Sequence, residues 1–294
     1  MRTLLKTIIM KWLDDEPFQS AAALSYYTLF SLAPLLIISI ALAGFVFGHE
    51  AAHSQIVATI QGMIGRESAE AVQAMILNAS SRPESGLIST VMGGIILLFG
   101  AGGVVGQLQT SLNAIWRVRA KSDSGLHDFI RKRFISFAMV LGIGFLLLVS
   151  LAVSAFITGL TQFVGTWFGG AALIAYLLDI LISFGFITFL FAMIYKFLPD
   201  VEIQWQDVWT GAALTSILFT IGKFFIGLYL GSSGVTSIYG AAGSLITILL
   251  WVYYSSLIFL FGAEFTQVYA NMYGSGVVPT EDVQTVADRN KRIA

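Results

Sequence analysis

The chain has 294 residues, of which 56% are hydrophobic and 11% are charged, and its formal net charge is -1. Soluble domains carry about 25% charged residues, so this composition excludes a soluble protein and indicates an integral membrane protein. The chain has no cysteine, which excludes disulfides, thiolate metal sites and cysteine nucleophiles.

The first thirteen residues predict an amphipathic helix lying on a membrane surface, because apolar residues recur at helical spacing and basic residues fall on other faces. Lys6 and Lys11 interrupt the apolar stretch, so we expect no cleaved signal peptide. The acidic triplet Asp14, Asp15 and Glu16, followed by Pro17, predicts a helix end and a turn. We expect these three carboxyl groups to be solvated rather than convergent.

Six apolar runs are long enough to be membrane helices, because about 20 helical residues cross about 30 Å of hydrocarbon. The predicted fold class is all-α: a single polytopic membrane domain at residues 1–270, followed by a weakly ordered cytoplasmic tail at 271–294. The six predicted spans cover residues 21–48, 87–106, 134–159, 171–198, 208–230 and 240–263.

Pro34 lies inside the first predicted span. A proline within a helix removes one backbone donor and leaves the carbonyl of Phe30 without its usual partner. Neighbouring helices, hydroxyl groups or water can satisfy such a carbonyl at membrane depth. The residue therefore predicts a helix kink, and a ligand site at the freed carbonyl is the alternative.

Residues 49–86, between the first two spans, predict two short extramembrane helices broken near Gly65 and Arg66. Whether these helices cap a cavity or lie on the membrane interface stays open. His49 and His53 fall in this interval and are interpreted as polar loop residues, because no third ligand accompanies them. We therefore predict no metal site.

The second predicted span is rich in glycine. Gly102 and Gly106 form a pair of small residues four apart, a spacing that permits close helix contact in lipid. The run lacks the Lys-Ser/Thr ending of a phosphate loop and lies in an apolar helix, so no nucleotide site is predicted.

Basic residues fix the predicted orientation. The interval 117–133 holds six of them and flanks two spans, which favours contact with anionic lipid headgroups over nucleic-acid binding. With the N-terminus in the cytoplasm, thirteen of the sixteen Lys and Arg residues lie on the cytoplasmic side. The positive-inside rule thus predicts six helices with both termini cytoplasmic.

Ionisable residues within the spans are the candidate functional residues, because burial of charge in a membrane is costly. Asp179 and Lys223 are predicted at similar depths, about 12 and 10 Å below the outer surface. They form either a buried ion pair that orders the bundle or a wall of a substrate path. Glu264 lies near the cytoplasmic end, where it faces water or caps a helix, and Tyr26 and Tyr239 are further candidates for the same cavity.

Short segments along nearly the whole chain carry a resemblance to a known family. They are AAALSYYTLFSLAPL at 21–35, LNAIWR at 112–117, YGAAGS at 239–244, WVYY at 251–254 and GAE at 262–264. These segments resemble the YihY/BrkB family of bacterial inner-membrane proteins. The resemblance implies six membrane helices and a role in transport or in envelope and serum resistance. The name ribonuclease BN, formerly attached to the family, is regarded as a misassignment.

The polar residues within spans and the glycine-rich contacts favour a translocator of a lipid, an envelope component or a small solute. The alternative is a non-transporting membrane scaffold or an envelope-integrity or virulence-associated factor. We expect no enzyme, because a nuclease needs clustered carboxylates or histidines to hold metal and activate water. The expected partners are membrane lipids and an unidentified substrate, without cofactor, and small residues permit self-association without requiring it.

Overall fold

The structure is a computed structural model that describes residues 2–80, 102–120, 171–232, 239, 242–274, 276, 278–279 and 283–285. The helices are α1 (Arg2–Asp14), α2 (Pro17–Phe47), α3 (His49–Ile64), α4 (Arg66–Ser80), α5 (102–115), α6 (Ala171–Phe197), α7 (Trp205–Ser232) and α8 (Gly243–Met272). The strands are β1 (Val118–Ala120), β2 (Val201–Glu202), β3 (Val278–Pro279) and β4 (Val283–Thr285). The described residues are therefore mostly helical.

Within the described residues, four helices are long and apolar enough to cross a membrane. Their candidate spans are Pro17–Ala41, Ile180–Phe197, Trp205–Leu230 and Gly243–Met272. These helices coincide with the first, fourth, fifth and sixth predicted spans. The third predicted span, 134–159, lies outside the described residues, as does the second, 87–106, up to residue 101.

Helices α3 and α4 meet at Gly65, where the sequence predicted a break between two helices. Gly65 has a φ of 86°, a left-handed value that glycine adopts without steric cost, and its N–H closes α3 by donating to the carbonyl of Gln61 at 3.0 Å. Helix α4 places Val72 and Ile76 against Ile40 of α2 and Ile248 of α8 in a small core. The helix pair is thereby attached to the bundle through apolar contacts.

Helices α7 and α8 pack through a reciprocal set of small residues, which we call the glycine–threonine seam: Gly211 and Thr215 on α7, Gly262 and Thr266 on α8. A Cβ on Gly211 would overlap the side chain of Thr266, and one on Gly262 would overlap that of Thr215. Each threonine donates its hydroxyl at 2.7 Å to the carbonyl of the glycine four residues earlier. The two backbones thus approach closely while the hydroxyl groups stay satisfied.

The spacing of Gly102 and Gly106 permits close helix contact, but Gly106 itself makes none with the described residues. A Cβ on Gly106 would meet nothing within 4 Å, whereas one on Gly103 would lie 3.4 Å from both Ser31 Oγ and Tyr27 Cδ1. The face of α5 that approaches α2 is therefore the face of Gly103. Spacing alone does not show which glycine faces the neighbouring helix.

Tyr195 joins α6 to the seam. Its side chain is fully buried, and its hydroxyl donates to the carbonyl of Phe259 at 2.7 Å while lying 3.1 Å from Thr215 Oγ1. The ring also packs against that of Phe259, with centroids 5.1 Å apart. One tyrosine thus connects α6, α7 and α8.

Asp200, just after α6, is bound by two amide side chains of α5. Asn113 donates Nδ2 to Asp200 Oδ2 at 2.8 Å and accepts the backbone N–H of Asp200 on Oδ1 at 2.9 Å. Gln109 donates Nε2 to Asp200 Oδ1 at 3.1 Å. The end of α6 is thereby held against α5.

We expect Asn113→Ala to lower the free energy of unfolding by about 2 kcal/mol, because it removes two hydrogen bonds, one of them to a charged group. Thermal unfolding in detergent, followed by circular dichroism, measures the change. Gln107→Ala is the control on the same helix, since Gln107 makes only a 3.4 Å bond to Ser111. Equal effects of the two substitutions would contradict the assigned role of Asn113.

Two short strands of the tail, β3 and β4, each pair with a strand that follows a helix: β3 with β2, and β4 with β1. In the first pair Val201 lies opposite Pro279 and Glu202 opposite Val278. In the second, β4 pairs with β1 from Val118 opposite Thr285 to Ala120 opposite Val283. The tail therefore contacts the chain after α5 and after α6, and the weak order expected for 271–294 as a whole stays a prediction.

Candidate functional site

Among the sequence-predicted candidates whose side chains the structure describes, Glu264 is the most deeply buried ionisable residue. It lies on α8, two residues after Gly262 of the seam, and only 1% of it is exposed. Neither of its carboxyl oxygens has a hydrogen-bond partner. A buried carboxylate without a donor is costly, so this position is not explained by stability alone.

Asp15 adjoins Glu264, although 249 residues separate them in the chain. Its side chain is 18% exposed, its Oδ1 lies 3.8 Å from Arg117 Nη2, and its Oδ2 has no hydrogen-bond partner. Asp14 and Glu16 are exposed, as the sequence predicted, but the prediction of a solvated Asp15 was wrong. We call Asp15 and Glu264 the carboxyl pair.

Local backbone geometry explains why only the middle acid of the triplet turns inward. Helix α1 ends at Asp14, and Glu16 adopts a left-handed φ of 49° that reverses the chain before Pro17 starts α2. Trp12, in the last turn of α1, packs edge-on against Phe261 of α8 with ring centroids 5.8 Å apart. The turn therefore lies against α8 and brings Asp15 to Glu264.

A small cavity lies between the carboxyl pair and its neighbours. Its volume is about 10 Å³, which matches a single water molecule. The indole Nε1 of Trp12, which lines it, also has no hydrogen-bond partner. Its lining combines polar residues with apolar ones: Trp12, Asp15, Ser20, Ser111 and Glu264, and Pro17, Ile115 and Leu260.

Two basic residues flank the carboxyl pair. Lys11 on α1 donates Nζ to Gln267 Oε1 of α8 at 3.0 Å, and the Arg117 side chain is about half exposed beside Asp15. Burial raises the pKa of Asp15 above its ordinary value, and the charges of Arg117 and Lys11 act in the opposite direction. Burial is the largest of these effects, so Asp15 holds a proton more tightly in the folded protein than in the unfolded chain.

The chemistry available to the carboxyl pair is proton binding. Two adjoining carboxyl groups can share one proton, and a water-sized space beside them can hold the molecule that delivers it. Within the described residues, no group of three or more His, Asp and Glu side chains could hold a metal ion. The arrangement therefore suits a proton better than a divalent metal.

The other candidate residues lie apart from this cavity. Lys223 is exposed on α7, and its neighbour Gly222 faces Tyr254 of α8, which is ten residues, or about 15 Å of helix, from Glu264. Tyr26 and Tyr239 are 59% and 57% exposed, and neither lines the cavity. Asp179 belongs to α6, but its side chain lies outside the described residues, so its pairing with Lys223 stays a prediction.

Pro34 lies within α2, which is helical on both sides of it from Pro17 to Phe47. The proline does not end the helix. The predicted kink and the alternative ligand site at the Phe30 carbonyl both stay predictions.

Comparison with known proteins places the chain in a family. Residues 8–285 match the family model described as Virulence factor BrkB, and this range includes Lys11, Asp15, Arg117 and Glu264. No solved structure matches the chain.

Similar proteins are named UPF0761 membrane proteins. The one from Ralstonia nicotianae is 27% identical over 279 residues, covering 90% of this chain and 58% of the relative. One from Stenotrophomonas maltophilia is 31% identical over 273 residues, covering 86% of this chain and 58% of the relative. One from Alteromonas mediterranea is 27% identical, covering 90% of this chain and 87% of the relative.

The chain thus spans under three fifths of the length of the Ralstonia and Stenotrophomonas relatives. The family match nevertheless covers nearly all of the chain, and the relatives are bacterial membrane proteins. With its long apolar helices, the chain belongs to the BrkB family of bacterial membrane proteins, to which the UPF0761 proteins also belong.

Proposed function

We propose that this protein is a translocator that moves a lipid, an envelope component or a small solute across the bacterial inner membrane. The observation that carries the proposal is the carboxyl pair at one end of the helix bundle. Its member Glu264 is 99% buried, and no described group donates a hydrogen bond to it. Acidic side chains inside membrane bundles are costly and concentrate on substrate and ion paths. A purely structural protein would be more stable with an apolar side chain at this position.

The position of the pair suits a gate. Asp15 lies on the turn between α1 and α2, and Glu264 lies on α8, which packs against α1, α2 and α7. A change in the charge of the pair alters the contact of α1 with α8. Opening at this contact would give water or substrate access to the end of the bundle.

The proposal includes six membrane helices, both termini in the cytoplasm, and α1 lying on the cytoplasmic membrane surface. Four candidate spans and the distribution of Lys and Arg support it. It treats membrane lipids as neighbours of the protein and assigns it no catalytic activity and no nucleic-acid partner.

Single cysteines test this topology directly, because the chain contains none of its own. We expect Ala58→Cys, exposed on α3, to react with a membrane-impermeant maleimide added to intact spheroplasts. Gln204→Cys, exposed in the connection before α7, should react only after the membrane is permeabilised. The reverse pattern of labelling would contradict the proposed orientation.

Transport is tested in liposomes that contain the purified protein, with lipid scrambling and solute uptake as separate readouts. We expect flux above that of empty liposomes, and a reduction of about tenfold or more for Glu264→Gln, equivalent to about 1.4 kcal/mol. Glu16→Gln is the matched control, since Glu16 is exposed one residue from Asp15. Lys223→Ala and Asp179→Ala test the predicted outer pathway in the same assay.

Two outcomes would contradict the proposal in different ways. Equal flux in wild type and Glu264→Gln would remove the carboxyl pair from the transport mechanism. Absence of flux in the wild type, together with stable co-purifying partners, would favour the alternative of a membrane scaffold or envelope-integrity factor.

A further inference from the structure

We propose that the cavity between Asp15 and Glu264 is a proton-binding site, in which the two carboxyl groups share one proton beside a single water molecule, and that this proton is the coupling ion. The inference rests on the proposed function, because it names the ion that would drive or gate translocation. Its chemical content, the binding of one proton at a defined site, can be measured separately from transport.

The first step of the argument is that Glu264 needs a ligand. Its side chain is 1% exposed, and among the described residues no N–H or O–H group donates a hydrogen bond to either of its oxygens. Asp15 Oδ2 is likewise unpartnered. A proton placed between the two carboxyl groups removes one charge and supplies the missing hydrogen bond.

The second step concerns the identity of the ligand. A hard cation such as Ca²⁺ takes six or more oxygen ligands, whereas the cavity holds about 10 Å³ and is lined by only two carboxyl groups and two serines. Lys11 and Arg117 stand close enough to the pair to repel a metal cation. A proton needs only the two carboxyl oxygens.

The third step is a route for the proton. Glu264 is sealed, but Asp15 is 18% exposed and contacts Arg117, whose side chain is 53% exposed. A proton released by solvent water therefore reaches Asp15 first, and the cavity water can pass it to Glu264. On release, the proton returns to solvent along the same groups.

The fourth step links proton binding to a structural change. The charged groups facing the pair are Lys11 and Asp14 from α1 and Arg117 from the segment after α5. With the acids ionised, Asp14, Asp15, Glu264, Lys11 and Arg117 carry a summed charge of -1, and binding of one proton leaves zero. A neutral Asp15 no longer attracts Arg117, so protonation weakens the link between the α1–α2 turn and the segment after α5.

Infrared difference spectroscopy on the full-length protein in lipid nanodiscs tests the site without any transported cargo. We expect the difference spectrum between low and high pH to contain the carbonyl band of a protonated carboxyl group of the pair, which is lost as the pH is raised. The band should be absent or strongly reduced in Glu264→Gln and Asp15→Asn, and unchanged in Glu16→Gln, since Glu16 is exposed. A wild-type difference spectrum without this band, or a band that persists in both pair variants, would overturn the proposal.

Thermal stability supplies a second readout. Because the pKa of Asp15 is raised on folding, the folded state retains its proton to a higher pH than the unfolded chain. The free energy of unfolding should therefore fall as the pH rises from the ordinary aspartate range through the raised value. Asp15→Asn should lose this slope, whereas Glu16→Gln should keep it; an unchanged slope in Asp15→Asn would contradict the assignment.

A sodium titration at fixed pH separates the proton from a metal ion. If Na⁺ stabilises the wild type more than an equal concentration of K⁺ does, and does not stabilise Glu264→Gln, the bound ion is sodium. That result would overturn the proposal of a proton site. Failure of the two proposals is distinguishable: a titrating band without flux in liposomes refutes translocation alone. Flux without the band refutes the proton site alone.

Discussion

Gly262→Ala is expected to destabilise the protein by about 2 kcal/mol or more, the cost typical of overpacking a closely packed interface. The new Cβ would overlap Thr215 Oγ1 and lie 2.7 Å from the hydroxyl oxygen of Tyr195. Alanine is favoured over glycine inside a helix by about 1 kcal/mol, so the observed loss is the net of two opposing effects. We expect the clash to dominate.

The neighbours of Gly262 cannot move aside cheaply. The Thr215 hydroxyl donates to the carbonyl of Gly211, and the Tyr195 hydroxyl donates to the carbonyl of Phe259, so each would lose a buried hydrogen bond by rotating away. Gly222 on the same seam face differs, because a Cβ there would meet mainly the flexible end of Ile258. Gly222→Ala should therefore cost less than Gly262→Ala.

Two glycines in membrane helices provide matched controls. A Cβ on Gly227 of α7 or on Gly185 of α6 would meet nothing within 4 Å. Their replacement by alanine should leave stability unchanged or raise it by up to about 1 kcal/mol. Thermal unfolding in detergent, followed by circular dichroism, measures all four variants; equal effects at Gly262 and Gly227 would refute the seam.

A second substitution localises the clash to one pair of side chains. Thr215→Ala removes the hydroxyl that the new Cβ would overlap, and leaves the bond from Tyr195 to Phe259 in place. The double variant should therefore be more stable than the sum of the two single effects predicts. Strict additivity would mean that Gly262→Ala acts elsewhere.

The sequence predicted the four described helices that are long and apolar enough to cross a membrane, because long apolar runs have few alternatives in a bilayer. It did not identify the seam, although Gly211 and Thr215, and Gly262 and Thr266, show the same four-residue spacing as Gly102 and Gly106. With 29 glycines in the chain, such pairs recur, and spacing does not reveal which pairs face each other. Only the packing of α7 against α8 shows that Gly211 faces Thr266 and that Gly262 faces Thr215.

The sequence predicted one of the two acids of the candidate site. The sequence named Glu264 as a candidate and indicated the turn at Pro17. The expectation that Glu264 faces water was wrong, because its side chain is 1% exposed. The meeting of Asp15 with Glu264 depends on α1 folding back onto α8, through contacts such as Lys11 with Gln267 and Trp12 with Phe261. Contacts at such sequence separation leave no local periodicity, so no pattern within a window could have paired the two acids.

Glu264→Gln is expected to raise the stability of the protein at high pH while it lowers transport. The amide imitates a protonated Glu264 and can donate a hydrogen bond to the unpartnered Oδ2 of Asp15, so near the acidic end of the pH range the variant should match the wild type. As the pH rises, the wild-type pair loses its shared proton, whereas the amide of Glu264→Gln does not titrate. At high pH the variant should therefore be more stable than the wild type by about 1–2 kcal/mol. Chemical or thermal unfolding across pH measures this difference.

The same variant should also lose transport. Its amide side chain cannot bind or release a proton, so position 264 stays uncharged at every pH. Glu264→Asp retains a titrating carboxyl group on a shorter side chain and should retain part of the flux, which a merely structural requirement for bulk would not predict. A Glu264→Gln protein that is less stable than the wild type at every pH would show that the carboxyl group stabilises the bundle. An acid retained at a stability cost, in a space that fits one water molecule, is instead the signature of a group that has to change its charge.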